Sequence, residues 1–353
     1  MSLVPTHIPK FDENHGADFL STVIGVDGCV YGIPFYSRRF VKLDPKDDSV
    51  EEFGPDLVRD LGLDEAQMRY GAMANDGCLY VILHGSQIML KVDTNEGGNN
   101  GSVAMIEISY EEFGLPRPPG SGVEGADGCL YFPFSWHKIM RFDPRTAEVT
   151  FPFRSPIGLL GGLLKNDGCI FVVPHSPGPF EEAESAEDLI LMLDVRDSSS
   201  GSFLPGNPET TFKSYEGGTF GRDGILYFLN RFSQVVGLNT SSGTMFFQAA
   251  PRRFSNASWG AFGSPCLGSD GCIYWPPIEE DRILKYDPYY GKVDFVGIST
   301  PQGHTWKGGA TVPGGKTYFF PYHGDGTQIL AIDPLGDLKA EFHQRTESDP
   351  LTF

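Results

Sequence analysis

Histidine and tryptophan are the side chains with the most scope for chemistry in this chain. Histidine binds metal ions, transfers protons and changes its charge near neutral pH, and an indole ring suits a flat or apolar ligand. The chain of 353 residues has eight histidines and four tryptophans. We select nine residues as candidates for a binding site, because all of them fall at one end of a repeated unit: His84, Trp136, His137, His175, Trp259, His304, Trp306, Lys307 and His323.

The repeated unit is an Asp-Gly pair followed by a short hydrophobic run, as in "DGCIYWPP". Successive copies lie 40 to 56 residues apart. Seven copies at this period predict a β-propeller with four strands in each blade. The copies begin at Asp27, Asp76, Asp127, Asp167, Asp223 and Asp270, and the seventh, "GGKTYFFP", has Gly314-Gly315 in place of Asp-Gly.

Each copy also predicts the strands of one blade. A Gly-rich stretch gives the first strand, and Asp-Gly makes a tight hairpin because glycine accepts the positive φ that such turns need. The run after it, such as "CIYWPP", alternates and is rich in β-branched and aromatic residues, as strands are. A third strand such as "RILKYDP" ends in an Asp-Pro turn. A fourth strand such as "KVDFVG" closes the blade.

We therefore predict one all-β domain over residues 1–353, a seven-bladed β-propeller with four antiparallel strands per blade. The last blade reads as complete through "LKAEFH", so we expect the N-terminal "THIPKF" to pack across the seam where the ring closes. The predicted blades cover residues 16–54, 66–113, 120–154, 158–205, 212–249, 257–298 and 304–343.

The pattern "DG-x-I-Y", then "R-I-L-K-x-D-P", then "G-K-V" resembles the blade motif of virginiamycin B lyase-like and gluconolactonase-like seven-bladed propellers. The resemblance extends over residues 12–343. For the lyases it implies a histidine base with acidic metal ligands in a Glu-x-His arrangement, which this chain contains as Glu13–His15 and Glu341–His343. For the gluconolactonases it implies a divalent ion held near the axis by acid and amide ligands.

Alternating chain direction within a blade sorts the connections onto two faces. The Asp-Gly hairpins and the turns between third and fourth strands lie on one face, which we call the turn face. The loops between second and third strands, and the connections into the next blade, lie on the other, which we call the loop face. Variable loops on a rigid scaffold are where sites are built, and the nine candidates map to the loop face. His304 and Trp306 precede an innermost strand, so we expect them to lie nearest the axis.

The cysteines and the remaining repeated aspartates have structural interpretations. Equivalent positions in neighbouring blades should exceed the Cα separation of roughly 7 Å that a disulfide allows, and no C-x2-C spacing of a zinc site occurs. We expect the repeated cysteines to be small, buried and reduced. Aspartates that end third strands, such as Asp143 and Asp287, are expected to form turns. The cysteines that share one position in the repeat are Cys29, Cys78, Cys129, Cys169 and Cys272.

Composition narrows the class of partner. A formal charge of −19 repels phosphate backbones and anionic lipid, so we expect no nucleic acid or membrane partner. The N-terminus has neither the basic nor the apolar region of a signal peptide, which favours a cytoplasmic location. The acidic insertion "HSPGPFEEAESAEDLI" extends from His175 to Ile190. Its composition is consistent with a lid, with a docking strip for a basic partner, or with a solvated insertion.

These observations predict a binding propeller whose loop face takes a small molecule or a basic protein surface. The alternative is a metal-assisted lyase or a lactonase-type hydrolase with its site at the central channel. The sequence contains no G-x-S-x-G nucleophile motif and no phosphate-binding P-loop. We therefore assign no catalytic residue and no metal ligand, and a divalent metal is expected as cofactor only under the alternative.

Overall fold

A computed structural model shows seven four-stranded antiparallel sheets, which confirms the predicted all-β, seven-bladed propeller. In six sheets the strands follow one another in chain order, from the innermost to the outermost. The structure describes residues 2–4, 18–63, 68–83, 86–95, 101–108, 121–135, 138–154, 163–166, 168–172, 190–196, 199–203, 214–230, 234–251, 261–297, 305–322 and 328–335.

Blades 1 to 3 are formed by the first part of the chain. Blade 1 consists of β2 (Phe19–Ile24), β3 (Val30–Pro34), β4 (Phe40–Asp44) and β5 (Ser49–Phe53). Blade 2 consists of β6 (Met68–Met73), β7 (Cys78–Leu83), β8 (Ile88–Asp93) and β9 (Val103–Glu107). Blade 3 consists of β10 (Val123–Glu124), β11 (Leu130–Ser135), β12 (Lys138–Asp143) and β13 (Glu148–Arg154).

Blades 4 to 7 follow, and the last one also includes the N-terminal strand. Blade 4 consists of β14 (Leu163–Asn166), β15 (Cys169–Val172), β16 (Ile190–Asp194) and β17 (Ser199–Phe203). Blade 5 consists of β18 (Ser214–Phe220), β19 (Ile225–Asn230), β20 (Gln234–Asn239) and β21 (Met245–Ala249). Blade 6 consists of β22 (Cys266–Leu267), β23 (Ile273–Trp275), β24 (Ile283–Asp287) and β25 (Lys292–Val296). Blade 7 consists of β26 (Trp306–Thr311), β27 (Thr317–Pro321), β28 (Ile329–Ile332) and β1 (Ser2–Val4).

The ring closes through blade 7, which takes its outermost strand from the N-terminus. The innermost strands contact one another in cyclic order, from β2 through β6, β10, β14, β18 and β22 to β26, and β26 contacts β2 again. The outermost strand β1 runs antiparallel to β28, with Leu3 opposite Leu330. This differs from our expectation that "LKAEFH" supplies that strand; residues 338–343 lie outside the described part of the chain. We use the word seam for the junction between blades 7 and 1.

The core lies between blades rather than at the axis. The buried apolar residues that the structure describes form seven clusters, each shared by two neighbouring blades. At the seam, Phe19 and Val41 of blade 1 pack with Tyr318 and Ile329 of blade 7. Each sheet thus buries both faces against its neighbours, which explains why the second strands are almost continuously apolar.

The Asp-Gly hairpins are built as the sequence predicts. In the six Asp-Gly copies the glycine has a φ between 74° and 85°, the left-handed region that glycine enters without strain. In blade 1, an Oδ1 atom of Asp27 accepts a hydrogen bond from the Cys29 amide at 3.0 Å, and the Tyr31 hydroxyl donates to Oδ2 at 2.8 Å. A Cβ atom at Gly25 would lie 2.5 Å from the Tyr31 ring, so the glycine that precedes the hairpin leaves room for this ring.

The same carboxylate also binds a cation from the third strand. The Nζ atom of Lys42 lies 3.0 Å from the Oδ2 atom of Asp27 and 5.8 Å from the centroid of the Tyr31 ring. Burial alone would raise the pKa of Asp27, but the hydrogen bonds from Tyr31 and Lys42 outweigh it and the pKa is lowered. We call this arrangement the Asp–Tyr–cation cluster. Blades 1, 2, 3 and 6 have it, with Asp27–Tyr31–Lys42, Asp76–Tyr80–Lys91, Asp127–Tyr131–Arg141 and Asp270–Tyr274–Lys285.

Blade 7 lacks this aspartate and borrows a carboxylate across the seam. Its left-handed residue is Gly314, at the position of the aspartate, with a φ of 68°. The Tyr318 hydroxyl donates a hydrogen bond to Asp48 of blade 1 at 2.6 Å, and Lys316 forms an ion pair with the same side chain. Asp48 itself has a φ of 60°. The carboxylate that other blades take from their own hairpin therefore joins blade 7 to blade 1.

The repeated cysteines are free thiols, as the sequence predicts. Four of the five are buried, and Cys169 is partly exposed. Burial first, and then the carboxylate of Asp27, raise the pKa of Cys29 to about 12. Burial first, and then the carboxylate of Asp76, raise the pKa of Cys78 to about 11. Cys266 and Cys272, which flank one hairpin, are also both buried and free.

Removal of the carboxylate at Asp48 should weaken the seam. We expect Asp48→Gly to lower the free energy of unfolding by about 1–3 kcal/mol, because the Tyr318 hydroxyl and the Lys316 amine lose their partner. Glycine adopts the φ of 60° without strain, so the substitution keeps the native backbone conformation of the turn. The measurement is equilibrium unfolding in urea.

The matched control is Ala147→Gly at the equivalent turn of blade 3, where φ is 58°. This variant makes the same change in a left-handed turn without removing a carboxylate, and it should be at least as stable as the parent protein. Equal stabilities of the two variants would contradict the role assigned to Asp48.

The buried cysteines should react slowly with a thiol reagent in the native protein. The thiolate is the reactive form, and a raised pKa keeps its population small at pH 8. We expect Cys169 to be modified first and the other thiols only when denaturant is added, as followed by absorbance with an aromatic disulfide reagent. Rapid modification of most thiols without denaturant would show that they are not buried.

Candidate functional site

The structure describes two of the nine candidates that the sequence predicts for the loop face. Trp306 and Lys307 begin β26, the innermost strand of blade 7. The other seven candidates lie outside the described residues: His84, Trp136, His137, His175, Trp259, His304 and His323. All eight histidines of the chain lie outside the described residues. Their positions in a site therefore stay predictions.

Trp306 is a packing residue rather than an exposed ring. Its side chain is 1% exposed and contacts a core shared by blades 6 and 7, which includes Tyr274 and Phe319. Its indole Nε1 donates a hydrogen bond to the backbone oxygen of Gln328 at 2.9 Å. We had expected the indole to be available to a ligand; instead it lies beneath the loop face and supports the residues around it.

Lys307 lies in a group of aromatic side chains that spans the seam. Its Nζ atom is 4.8 Å from the centroid of the Tyr322 ring. The Tyr322 ring is 6.2 Å from that of Phe35, which is 4.2 Å from that of Tyr36. Phe35 is buried, whereas Lys307, Tyr322 and Tyr36 are partly exposed. We call these four residues the seam cluster; it combines aromatic surface, two phenol hydroxyls and one amine on two blades.

Backbone hydrogen bonds hold the seam cluster at equivalent places in the two blades. The Phe35 amide donates to the Asp18 oxygen at 2.9 Å, and the Tyr322 amide donates to the Thr305 oxygen at 2.9 Å. Each bond ties the end of a second strand to the residue before the first strand of its own blade. A further bond, from the Trp306 amide to the Pro277 oxygen at 3.1 Å, ties this region to blade 6.

The innermost strands of blades 7, 1 and 2 pair irregularly at this end, as does that of blade 5, where the ladder shifts between Ser214 and Gly218. In blades 7, 1 and 2 the ladders shift register within Trp306–Gly309, Phe19–Ser21 and Met68–Tyr70, so each of these strands has one extra residue. Two of these bulges touch, since a Cβ atom at Gly308 would lie 2.9 Å from the Cα atom of Ser21. Bulges re-aim side chains and are frequent next to functional sites. Here the bulge in β26 includes Lys307.

The loop of blade 1 beside the seam cluster contains buried polar groups. Asp18 is 3% exposed, and its amide donates to the Ser37 hydroxyl at 3.0 Å. Arg38 forms an ion pair of 3.0 Å with Asp56, in the connection to blade 2. Burial would raise the pKa of Asp56, but the amide of Arg59 and the guanidinium of Arg38 outweigh it and the pKa is lowered. These contacts tie the loop to the start of blade 1 and to the connection into blade 2.

The loop of blade 6 on the other side is acidic. Glu279 and Asp281 are exposed, and Glu280 is 9% exposed. This loop is joined to the start of β26 by the bond between Trp306 and Pro277. The loop face therefore presents carboxylates next to the seam cluster, in a chain whose formal charge is −19.

Among the residues that the structure describes, no group of three or more His, Cys, Asp or Glu side chains could hold a metal ion. The Glu-x-His pairs at Glu13–His15 and Glu341–His343 lie outside this part of the chain. Within the described ranges, no helix is long and apolar enough to cross a membrane.

Sequence reasoning did not select Phe35 and Tyr322, although a signal for them exists. Both follow the proline that ends a second strand, in "GIPF" and "FFPY", at the same distance from the hairpin glycine. An aromatic residue at that position in two adjacent blades indicates that they meet at the loop face. Recognising this requires knowing that blades 7 and 1 are neighbours, which only ring closure establishes.

Comparison with known proteins shows the fold. No protein-family model and no curated protein sequence matches the chain. Virginiamycin B lyase from Staphylococcus aureus, in an inactive histidine variant with quinupristin, superimposes with a TM-score of 0.69, 13% identity and coverage of 91% of this chain and 97% of that chain. YCF48 bound to D1 peptide has a TM-score of 0.65 at 12% identity and covers 91% of this chain and 93% of its own. The WD40 repeats of RRP9 have a TM-score of 0.59 at 9% identity, covering 91% and 96%. The chain is thus a seven-bladed β-propeller that resembles virginiamycin B lyase-like proteins.

Substitution of Trp306 should lower the stability of the protein, because its indole ring is part of the core. We expect Trp306→Ala to lower the free energy of unfolding by about 3–5 kcal/mol, because it opens a cavity in the core between blades 6 and 7. Lys307→Met, one residue further along the same strand, should change it by about 1 kcal/mol or less. Thermal and urea unfolding test both. An alanine variant as stable as the parent protein would show that the indole is not part of the core.

Proposed function

We propose that this propeller is a binding protein whose ligand site lies on the loop face at the seam. The observation that carries the proposal is the seam cluster, in which Lys307 and Tyr322 of blade 7 meet Phe35 and Tyr36 of blade 1. Aromatic surface combined with a few polar groups is typical of sites for small molecules. The ligand class that fits is a molecule with an apolar or aromatic body and an oxygen acceptor that can reach the lysine.

The surroundings of the cluster support a site for a ligand rather than a purely structural contact. A side chain needed only for packing would be buried, as Trp306 is, whereas three of the four members are partly exposed. The bulges in β26 and β2 bring Gly308, the residue after Lys307, against Ser21 of blade 1. The undescribed candidates His304 and His323 flank the described segment 305–322 in sequence, so we propose them as further contacts.

Two structures of the same fold also support binding on such a scaffold. The virginiamycin B lyase structure contains quinupristin, and the YCF48 structure contains the D1 peptide. At 12–13% identity these likenesses concern the fold, and the ligands belong to those proteins. They support the proposal because they indicate that propellers of this architecture take up both a small molecule and a peptide.

A fragment screen tests the proposal. Aromatic fragments bearing a carboxylate or a carbonyl are screened by ligand-observed NMR, and the hits are titrated against the parent protein and against Lys307→Met/Tyr322→Leu. We expect dissociation constants to rise by about 10-fold, because a cation and an aromatic surface are lost together.

The matched control is Lys46→Met/Tyr289→Leu, which makes the same chemical changes at exposed positions on the turn face. This control should bind the hits as the parent protein does. Equal affinities for the parent protein and for the seam variant would show that the seam cluster is not the ligand site.

The lyase alternative needs a separate assay. The protein is incubated with quinupristin, with and without added magnesium and with a chelator, and conversion is followed by chromatography. Conversion that the chelator abolishes would replace the binding proposal by a metal-assisted lyase, and Glu13 and His15 would then be the first residues to substitute. The absence of conversion, together with hits at the seam cluster, would support binding.

A further inference from the structure

Blade 5 lacks one member of the Asp–Tyr–cation cluster that blades 1, 2, 3 and 6 contain. In blades 1, 2, 3 and 6 the residue opposite the repeated tyrosine, on the third strand, is a lysine or an arginine. This residue is the cation that binds the hairpin carboxylate. The pairs are Tyr31 with Lys42, Tyr80 with Lys91, Tyr131 with Arg141 and Tyr274 with Lys285.

Blade 5 keeps the carboxylate and the tyrosine but lacks the cation. The Tyr227 hydroxyl donates to Asp223 at 2.7 Å, and the residue opposite Tyr227 is Gly237. A Cβ atom at Gly237 would lie 2.2 Å from the ring of Phe246, which is 37% exposed. The aromatic ring of the fourth strand thus takes the space in which the other blades hold a lysine or an arginine.

Asp223 is exposed, and the described part of the chain offers it no ion pair. The adjacent Arg222 turns to the next blade instead, where it donates to the backbone oxygen of Ser269. Among the described residues, Asp223 accepts from Tyr227 and from the Ile225 amide at 3.1 Å, and no cation of this part of the chain binds its exposed carboxylate.

The adjacent blade 6 also differs from the other blades, in the turn between its third and fourth strands. The turn between β24 and β25 carries Tyr289 and Tyr290, which are 87% and 76% exposed and stack edge to face at 4.8 Å. The equivalent turns of blades 1, 3 and 5 have a left-handed residue at the position that Gly291 takes in blade 6. The φ values are 60° at Asp48, 58° at Ala147, 72° at Gly243 and 61° at Gly291. In the turns of blades 1, 3 and 5 the two residues before this position are polar, namely Lys46–Asp47, Arg145–Thr146 and Ser241–Ser242. The turn itself therefore does not require tyrosine.

These two differences from the other blades are neighbours on the turn face. Tyr227 of blade 5 lies 5.3 Å from Tyr286 of blade 6, which is three residues before Tyr289. Burial first, and then the carboxylates of Asp223 and Asp287, raise the pKa of Tyr286. Asp223 is thus close enough to act on the strand that leads into the exposed turn.

We propose that Asp223, Tyr289 and Tyr290 form a docking point for a basic segment of a partner protein. An arginine or lysine of the partner binds the Asp223 carboxylate and lies against the exposed tyrosine rings. The other blades show the chemistry, since Lys285 binds Asp270 at 3.1 Å and lies 5.3 Å from the Tyr274 ring. Exposed tyrosines are frequent anchors of protein interfaces, and the formal charge of −19 attracts a basic partner. This surface is on the face opposite the seam cluster and is independent of it.

The test uses a labelled nona-arginine peptide as probe, with binding followed by fluorescence anisotropy. We expect Tyr289→Ser/Tyr290→Ser to weaken binding by about 5–10-fold, because two cation–π contacts are lost without any change in charge. The substitution imports the residues that blade 5 has at this turn, so it should leave the thermal unfolding unchanged. Asp223→Asn should weaken binding by about 3-fold.

Matched controls separate specific contacts from general attraction to an acidic protein. Tyr289→Phe/Tyr290→Phe keeps both rings and should bind like the parent protein. Asp47→Asn removes the same charge as Asp223→Asn, but from the turn face of blade 1, and this variant should also bind the peptide like the parent protein. Lys307→Met/Tyr322→Leu, at the seam cluster, should not weaken peptide binding, so this proposal and the proposed function can fail separately.

A further variant places a cation opposite Tyr227 within blade 5. Gly237→Arg/Phe246→Thr imports the pair Arg141 and Thr150 of blade 3, which face each other across the same strands. Its arginine should bind Asp223 and weaken peptide binding by about 3-fold. The proposal is overturned if Asp223→Asn binds like Asp47→Asn, or if the serine variant binds the peptide like the parent protein.

Discussion

The structure depends on one recurring interaction, the hydrogen bond from a buried tyrosine hydroxyl to the aspartate that begins the hairpin. The tyrosine lies in the core between two blades, and its hydroxyl reaches the turn face, where the carboxylate also holds the turn. A hydrogen bond to a charged group stabilises by about 1.5–3 kcal/mol. In four blades a lysine or arginine completes the cluster, which keeps the carboxylate ionised although it is partly removed from water. The pKa of each of these aspartates is lowered, because the hydrogen bonds from the tyrosine hydroxyl, the hairpin amide and the cation together outweigh the effect of burial. Their stabilisation is present above the ordinary pKa of aspartate and is lost as the pH falls through the lowered value.

The seam shows what happens when a repeat loses this aspartate. Gly314 replaces it in blade 7, and Asp48 supplies the carboxylate from blade 1. Together with β1, which pairs with β28, this contact joins the two ends of the ring. The same two blades form the seam cluster on the opposite face. Ring closure therefore brings Lys307 and Phe35 together, although they are far apart in the chain, and a ligand bound there would contact both ends of the propeller.

Departures from the repeat are informative because the other blades serve as internal controls. Lys42, Lys91, Arg141 and Lys285 define what the cation position normally contains, so Gly237 stands out as an exception. The turns at Asp48, Ala147 and Gly243 show that the backbone before a fourth strand needs no aromatic residue, which makes the exposed Tyr289 and Tyr290 unexplained by folding alone. In a repeat protein, residues that neither the turn nor the core requires are the first candidates for partner contacts.

Local chemistry explains how much of this protein could be predicted from its sequence. Asp-Gly specifies a hairpin because the left-handed glycine and the aspartate that accepts from a nearby amide are adjacent in the chain. Six such signals, with Gly314-Gly315 as a seventh variant, therefore predicted seven blades and buried cysteines at Cys29, Cys78, Cys129 and Cys272. Contacts across blades could not be predicted in the same way, because they depend on which blades become neighbours and on the register between distant strands. The tertiary structure alone decided that Ser2–Val4 completes blade 7 and that Asp48 replaces the missing aspartate. It also placed Trp306 in the core and Lys307 beside Tyr322, because ring closure packs chain ends whose separation in sequence carries no information about distance.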